Sequence, residues 1–178
     1  DTDFGALGTE CTWFGVTCDA SQAHVVGLRF TNNNLVGIIP PALAGLTSLQ
    51  SLFLMGGELE GAIPAELGSL TSLLDLDLRN NRLNGAIPAA LGNLTNLRYL
   101  ALGENQLTGA LPLELGNLTS LAHLYLYDNQ LTGAIPPQLA NLANLEFFEL
   151  ADNQLTGSIP AALGSLVKLR DLDVSRNQ

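Results

Sequence analysis

Leucine and other hydrophobic residues recur along the chain with one fixed spacing. One copy of the pattern reads L-x-x-L-x-L-x-x-N-x-L-x-G-x-I-P-x-x-L-G-x-L-x-x, as in residues 73–96, and it recurs every 24 residues without an insertion. Six glycines and six prolines mark the copies: Gly37, Gly61, Gly85, Gly109, Gly133 and Gly157, with Pro40, Pro64, Pro88, Pro112, Pro136 and Pro160. A fixed period of this length predicts repeats that stack and bury their hydrophobic faces on one another, and therefore a solenoid.

Within each copy the first leucines alternate with other residues. In residues 97–102 this alternation places Leu100 and Leu102 inward and Tyr99 and Ala101 outward, as a half-buried strand requires. Stacking the copies then predicts one curved parallel sheet, with little α-helix. Its seven strands are expected near residues 28, 52, 76, 100, 124, 148 and 172.

The remaining positions of the repeat predict how the chain turns back. The Asn after each strand can bond backbone groups that would otherwise be buried without partners, and Gly57 is expected to interrupt this ladder in the second repeat. We interpret L-x-G-x-I-P as a corner, because Gly permits a positive φ and Pro ends strand pairing. L-G-x-L-x-x is expected to form a short helical turn on the outer side.

The recurring G-x-I-P and L-G-N-L-T motifs resemble the plant-specific class of leucine-rich repeats. Residues 11–18, CTWFGVTC, are similar to the N-terminal cap of that class, C-x-W-x-G-V-x-C. The resemblance implies an α/β-type repeat solenoid. We expect a right-handed superhelix with a parallel concave sheet, short 3-10 turns on the convex side, and mostly strand and loop. It predicts a cap over residues 1–22 and a solenoid over residues 23–178, with about six full repeats and a truncated seventh.

Composition and charge narrow the possible partners. The net charge is −10, which disfavours nucleic acid and anionic membrane surfaces as partners. No run of 18 apolar residues occurs, so we expect no membrane insertion within this segment. For Cys11 and Cys18 we favour a disulfide over a metal site or a redox pair, and a disulfide indicates an extracellular or cell-surface location. We expect no cofactor and no bound metal.

The outward strand positions form the candidate binding surface. All three tyrosines of the chain occupy such positions in two neighbouring copies. Aromatic side chains suit strands in general, but their gathering on one face favours a binding hot spot. The predicted ligand-binding residues are Tyr99, His123, Tyr125, Tyr127 and Phe147, together with Phe53, Asp77, Arg79 and Glu149, the charged residues forming a solvated rim.

The pattern also allows three other interpretations. Asp75 and Asp77 are about 6–7 Å apart on an ideal strand, near the spacing of glycosidase carboxylates, but no walls would exclude water there, so we predict no catalytic residues and no enzyme. Asn93 and Asn117 begin N-glycosylation sequons, although L-G-N-L-T is also the repeat consensus. A column of Thr108, Thr132 and Thr156 raises the hypothesis of binding to ice or another periodic surface.

The resemblance implies a non-enzymatic recognition module that binds a protein, peptide or glycan ligand through its concave face. The family includes receptor-like kinase ectodomains, receptor-like proteins and polygalacturonase-inhibiting proteins. Two alternatives are an inhibitor of a secreted cell-wall-degrading hydrolase and a structural or adhesive surface module. Because Gln178 lies ten residues into a repeat, we expect further repeats or a cap to follow.

Overall fold

The computed structural model describes residues 10–178. Part of the predicted cap, residues 1–9, lies outside the described residues. The described part of the cap contains the 3-10 helix η1 (Glu10–Thr12) and strand β1 (Val16–Cys18). Cys11 and Cys18 are bonded, which confirms the predicted disulfide. Strand β1 pairs antiparallel with the first repeat strand, a pairing that the period-24 pattern does not predict because it belongs to the cap.

Seven parallel strands, one per repeat, form the concave sheet and confirm the predicted positions. The cap strand β1 adds an eighth at one edge. Partners in neighbouring repeats are 24 residues apart, so Leu52, Leu76 and Leu100 lie opposite one another. The seven strands are β2 (Val25–Arg29), β4 (Ser51–Phe53), β6 (Asp75–Asp77), β8 (Tyr99–Ala101), β10 (His123–Tyr125), β12 (Phe147–Glu149) and β14 (Asp171–Asp173).

The seven predicted strands do lie in one sheet, but a second parallel sheet of six strands, which was not predicted, forms where L-x-G-x-I-P was interpreted only as a corner. Gly85 and Gly109 do have positive φ, at 74° and 78°, so the predicted glycine role is confirmed there. The chain nevertheless stays extended enough on both sides of the glycine to pair with the next repeat. The strands are β3 (Val36–Ile38), β5 (Glu58–Ala62), β7 (Arg82–Ala86), β9 (Gln106–Ala110), β11 (Gln130–Gly133) and β13 (Gln154–Leu155).

Short 3-10 turns occupy the convex side, as predicted, and each follows the proline of its repeat. The turn from Ala89 begins after Pro88, which is extended, and ends where the amide of Leu94 donates to the carbonyl of Leu91. Gly92 has no side chain because a Cβ there would lie 2.4 Å from the carbonyl oxygen of Glu114 in the next turn. The turns are η2 (Pro41–Gly45), η3 (Ala65–Ser69), η4 (Ala89–Asn93), η5 (Leu113–Asn117), η6 (Pro137–Asn141) and η7 (Ala161–Ser165).

An asparagine ladder joins the repeats in the interior, as predicted. The side-chain amide of Asn105 donates to the carbonyls of Leu102 in its own repeat and Leu78 in the previous one, at 3.1 and 3.0 Å. Its Oδ1 accepts from the amide of Leu83, 22 residues earlier. Asn81, Asn129, Asn153 and Asn177 repeat this arrangement. Gly57 breaks it, and the Leu35 amide donates instead to Asn33 of its own repeat, at 3.3 Å.

Asn105→Ala tests how much the ladder stabilises the fold. It removes a side chain that bonds buried backbone groups of two repeats, and each group left unpaired costs about 1–3 kcal/mol. We expect the free energy of unfolding to fall by at least about 2 kcal/mol in a urea titration. Asn84→Ala, at an exposed position of the second sheet, is the matched control and should change it by less than about 0.5 kcal/mol. Equal losses in the two variants would contradict a role for the ladder.

Candidate functional site

The outward side chains of the concave sheet form three columns, one residue wide, that run from repeat to repeat. The in-register pairing places Tyr99, His123 and Phe147 side by side in the first column. Tyr125 lies between Ala101 and Glu149 in the second. Because the strands pair in strict register, the columns are straight, and residues far apart in sequence become neighbours about 4.8 Å apart.

Five of the predicted ligand-binding side chains, at least partly accessible to solvent, form one aromatic patch, defined as Tyr99, His123, Tyr125, Tyr127 and Phe147. His123 stacks on Phe147 with ring centroids 5.0 Å apart and 4° between the planes. The Tyr99 ring lies 5.7 Å from His123 and 5.5 Å from Tyr125. The Tyr125 hydroxyl also lies 3.1 Å from His123 Nδ1. These contacts fix the rings against one another without using them in the leucine core.

Tyr127 completes the patch because the previous repeat has no side chain beneath its ring. A Cβ on Gly103 would lie 2.9 Å from Tyr127 Cε1 and 3.0 Å from Cζ. The ring therefore lies directly over the sheet, and its hydroxyl donates to Glu104 Oε1 at 3.1 Å. The neighbouring Ala101 is fully buried. Ala101 and Gly103 were not among the predicted site residues. The sequence does carry a signal for them, because two neighbouring outward positions of the same repeat both have small side chains.

Asp77 and Arg79 are not the solvated rim that the sequence predicts, and this expectation was wrong. Asp77 is only 2% exposed. Arg79 binds it with two side-chain bonds, Nε to Oδ1 at 3.0 Å and Nη2 to Oδ2 at 2.7 Å. Phe53 lies opposite Asp77 on the neighbouring strand, and the rings of Tyr99 and Tyr125 lie near the Arg79 guanidinium. These are contacts between repeats, which the local sequence does not reveal. A carboxylate buried without a partner would be costly, so the paired guanidinium is what permits this burial.

The guanidinium of Arg79 also lies close to the aromatic patch. Its Cζ lies 5.8 Å from the Tyr99 ring centroid and 5.9 Å from that of Tyr125, within the range of a cation–π contact. Two of its donors are directed at Asp77, so the orientation of the guanidinium is fixed. Arg79 thus connects a buried carboxylate to the accessible rings.

Two predicted residues, Phe53 and Glu149, lie beside the patch. Phe53 is on β4, two strands before Tyr99, and carries the Arg29 guanidinium over its ring at 4.3 Å. Glu149 is on β12 directly beside Tyr125. On its other side lies Asp173, and Asp171 lies beside Phe147. These two aspartates were not among the predicted site residues, although their repeat position placed them on the same face.

Burial raises the pKa values of the three tyrosines of the patch. For Tyr99 burial and then the charge of Asp77 raise the pKa to about 12. For Tyr125 and Tyr127 burial is again the largest cause of the upward pKa shift. Burial also raises the pKa of Glu149, with further contributions from the negative charges of Asp171 and Asp173. The hydroxyl groups therefore stay protonated at neutral pH and are available to donate hydrogen bonds.

The threonines of the column are not direct partners in the second sheet: Thr108 and Thr132 lie in β9 and β11, and Thr156 follows β13. Thr108, Thr132 and Thr156 are exposed there. Partners in this sheet are 22 residues apart, so Thr132 lies opposite Ala110, and Thr108 lies opposite Gln130. The strands therefore run obliquely to the direction of stacking. Threonines 24 residues apart are displaced along the strands, and they are not rungs on adjacent positions.

The sequence analysis also raised glycosylation sites, membrane insertion and metal binding, and the described residues bear on each of these. Asn93 and Asn117 are exposed at the ends of their convex turns, and Thr95 and Thr119 are exposed too. Within residues 10–178, no helix is long and apolar enough to cross a membrane. The same residues contain no group of three or more His, Cys, Asp or Glu side chains placed to hold a metal ion.

Comparison with known proteins places this geometry in a family. A family model described as leucine rich repeat matches residues 71–131 and 119–178, and a second model of the same description matches residues 24–46. The LRR receptor-like serine/threonine-protein kinase SIK1 of Oryza sativa subsp. japonica is 44% identical over 59 residues. That match covers 33% of this chain and 6% of the kinase, so the chain spans less than a tenth of this relative.

Solved structures resemble the chain over most of its length. The crystal structure of PEPR1-AtPEP1 has a TM-score of 0.92 and 38% identity, and the match covers 99% of this chain and 25% of that one. The plant peptide hormone receptor RGFR1 in complex with RGF2 has a TM-score of 0.66 and 31% identity, covering 84% and 28%. A plant ice-binding protein has a TM-score of 0.81 and 36% identity, covering 86% and 50%. One fold thus carries different ligand classes, and side chains must decide between them.

The raised tyrosine pKa values predict a loss of stability in alkali. Since an unfolded tyrosine ionises near pH 10 and folded Tyr99 near pH 12, its contribution is complete below about pH 10 and is lost as the pH rises towards 12. We expect the urea midpoint of the chain to fall between pH 9 and pH 11. It should fall less in Tyr99→Phe, which has no ionisable hydroxyl. Phe53→Leu is the control for an aromatic change on the same sheet. Identical pH profiles for the chain and Tyr99→Phe would contradict the shift.

Proposed function

Because the chain belongs to the leucine-rich repeat family, we propose that it is a non-enzymatic recognition module, and that it binds a peptide or protein ligand through the aromatic patch of its concave face. The observation that carries this proposal is the mutual contact of four partly accessible rings from three adjacent strands, Tyr99, His123, Tyr125 and Phe147, with Tyr127 partly accessible on the same face beside them. Clustered aromatic residues on a rigid surface are the usual composition of an interface hot spot.

The relatives support ligand recognition as the class of function. The rice relative is a receptor-like kinase whose match lies in the repeats, and one similar structure is a peptide hormone receptor in complex with RGF2. We propose that the chain lies outside the cell or at its surface, and the Cys11–Cys18 disulfide, which is stable there, supports this proposal. We also propose glycans at Asn93 and Asn117, because both lie on the convex turns and leave the concave face free.

The geometry of the site supports binding over chemistry. Asp77, one member of the carboxylate pair that resembled a glycosidase site, is occupied by Arg79 and withdrawn from solvent. The other, Asp75, lies next to Tyr99 on an open sheet. A general acid and base need access to a bound substrate, and a buried, paired carboxylate does not offer it.

Peptides selected from a displayed library of random 12-residue sequences test the proposal. The selected peptides should lose at least tenfold in affinity for Tyr125→Ala and for Tyr127→Ala, because truncating an interface anchor costs about 2 kcal/mol or more. The melting temperature of both variants should stay nearly unchanged, since the two rings lie outside the leucine core. Thr132→Ala on the second sheet is the matched control and should bind as the parent does.

The location of binding is what the experiment decides. Peptides that bind both tyrosine variants normally and lose affinity for Thr132→Ala would place recognition on the second sheet. Affinity loss together with a large fall in melting temperature would mean that the rings stabilise the fold. Either result would contradict a concave-face hot spot.

A further inference from the structure

Most of the Lys and Arg side chains of the chain contact groups that do not lie at the edge of the aromatic patch beside Phe147 and Tyr125. The chain has seven Lys and Arg residues, all of them among residues 10–178. Four form ion pairs: Arg79 with Asp77, Arg82 with Glu58, Arg170 with Glu146, and Arg176 with Asp152. Of the others, Arg29 lies over Phe53, Lys168 donates to Asn144, and Arg98 acts on Asp75.

Three carboxylates at that edge have no ion pair with any of these cations, although the charges of Arg79 and Arg176 act at longer range on Glu149 and Asp173. Glu149, Asp171 and Asp173 lie on the adjacent strands β12 and β14, and the register places Glu149 beside Asp173. They adjoin the aromatic patch directly, because Asp171 is beside Phe147, and Glu149 is beside Tyr125. Burial, followed by the charges of its two neighbours, raises the pKa of Glu149, as expected where like charges face one another. We call these three residues the acidic edge.

The spacing of the three carboxylates of the acidic edge indicates which kind of cation they can bind. In the part of the chain that the structure describes, its carboxylates are not grouped closely enough to hold a metal ion. A guanidinium or ammonium group on a long side chain can reach several carboxylates spread over two strands, and it can also contact an aromatic ring. The neighbouring rings of Phe147 and Tyr125 supply that second surface.

We propose that the ligand is an extended peptide segment that places a Lys or Arg side chain on the acidic edge and an apolar or aromatic side chain on the aromatic patch. This inference rests on the proposed function and names the partner of the same face. Tyr125 and Asp173 are two strands apart, about 10 Å at the interstrand spacing. An extended peptide crossing the strands advances about 3.3 Å per residue and turns every second side chain to the same face, so the two anchoring side chains are about two or four residues apart.

A charge-neutral variant of the acidic edge provides the test. In Glu149→Gln/Asp171→Asn/Asp173→Asn the side chains keep their size, and the amide that replaces the Asp173 carboxylate retains an oxygen that can accept from the Ser175 amide. The matched control, Glu60→Gln/Glu66→Gln/Glu114→Gln, removes the same number of charges from the second sheet and the convex turns. Random 12-residue displayed peptides are selected in parallel on the parent chain and on both variants.

Peptides selected on the parent and on the control variant should be enriched in Lys or Arg about two or four positions from an apolar or aromatic residue. Peptides selected on the acidic-edge variant should keep the apolar enrichment and lose the basic one. A resynthesised parent-selected peptide should bind at least tenfold more weakly after Lys or Arg is replaced by Gln. Its affinity for the parent should also fall as NaCl rises from about 50 to about 300 mM, which the acidic-edge variant should not show.

The outcomes separate this inference from the proposed function. If selected peptides need Tyr125 and Tyr127 but bind the acidic-edge variant as well as the parent, concave-face recognition stands and the basic ligand is wrong. An equal loss of basic enrichment on the control variant would show that overall charge is the cause, and this would also overturn the inference. Peptides indifferent to both tyrosines would overturn the proposed function itself.

Discussion

The hydrogen bonds of the asparagine ladder are the interaction on which the rest of the structure depends. Where each strand ends and the chain turns into the interior, backbone groups are buried that the repeat cannot pair by itself. Asn105 bonds carbonyls of its own and of the previous repeat, and it accepts from an amide 22 residues earlier. An insertion between the strand and its asparagine would move this side chain away from those partners. The constant spacing of that segment is therefore needed to satisfy buried backbone groups.

The ladder also explains why a binding surface can be built on this fold. Fixed spacing brings the concave strands into strict register, so outward residues of successive repeats become neighbours. The leucines fill the interior, and the outward positions are free to differ between copies. In the third to sixth repeats they carry Arg79, Tyr99, Tyr125 and Phe147. Binding specificity and folding thus depend on different residues of the same strand.

How much of this could be predicted from the sequence depends on the range of the interactions involved. The leucine alternation predicts the concave strands, and the column positions of Tyr99, His123 and Tyr125 predict their contact, because both follow from the repeat alone. The second sheet could not be predicted in this way, since its strands form by pairing between copies around a glycine with positive φ. The burial of Asp77 was missed as well, because it depends on the packing of side chains from neighbouring repeats above a charged pair.

Gly57 makes the two ends of this array unequal, because the asparagine bonds are missing between the first and second repeats. With no side chain in that rung, the first repeat is attached to the second by strand pairing and leucine packing, while later repeats also share asparagine bonds. In a quasi-one-dimensional array, cooperativity is carried by the interfaces between neighbours, and the weakest interface divides the chain into separately opening units. We expect the described part of the cap and the first repeat, residues 10–48, to form such a unit. Backbone amide hydrogens of residues 10–48 should then exchange with solvent through local unfolding of this unit. Those of the third to the sixth repeat should exchange only when several repeats unfold together. Local unfolding at this end of the array therefore occurs far from the aromatic patch.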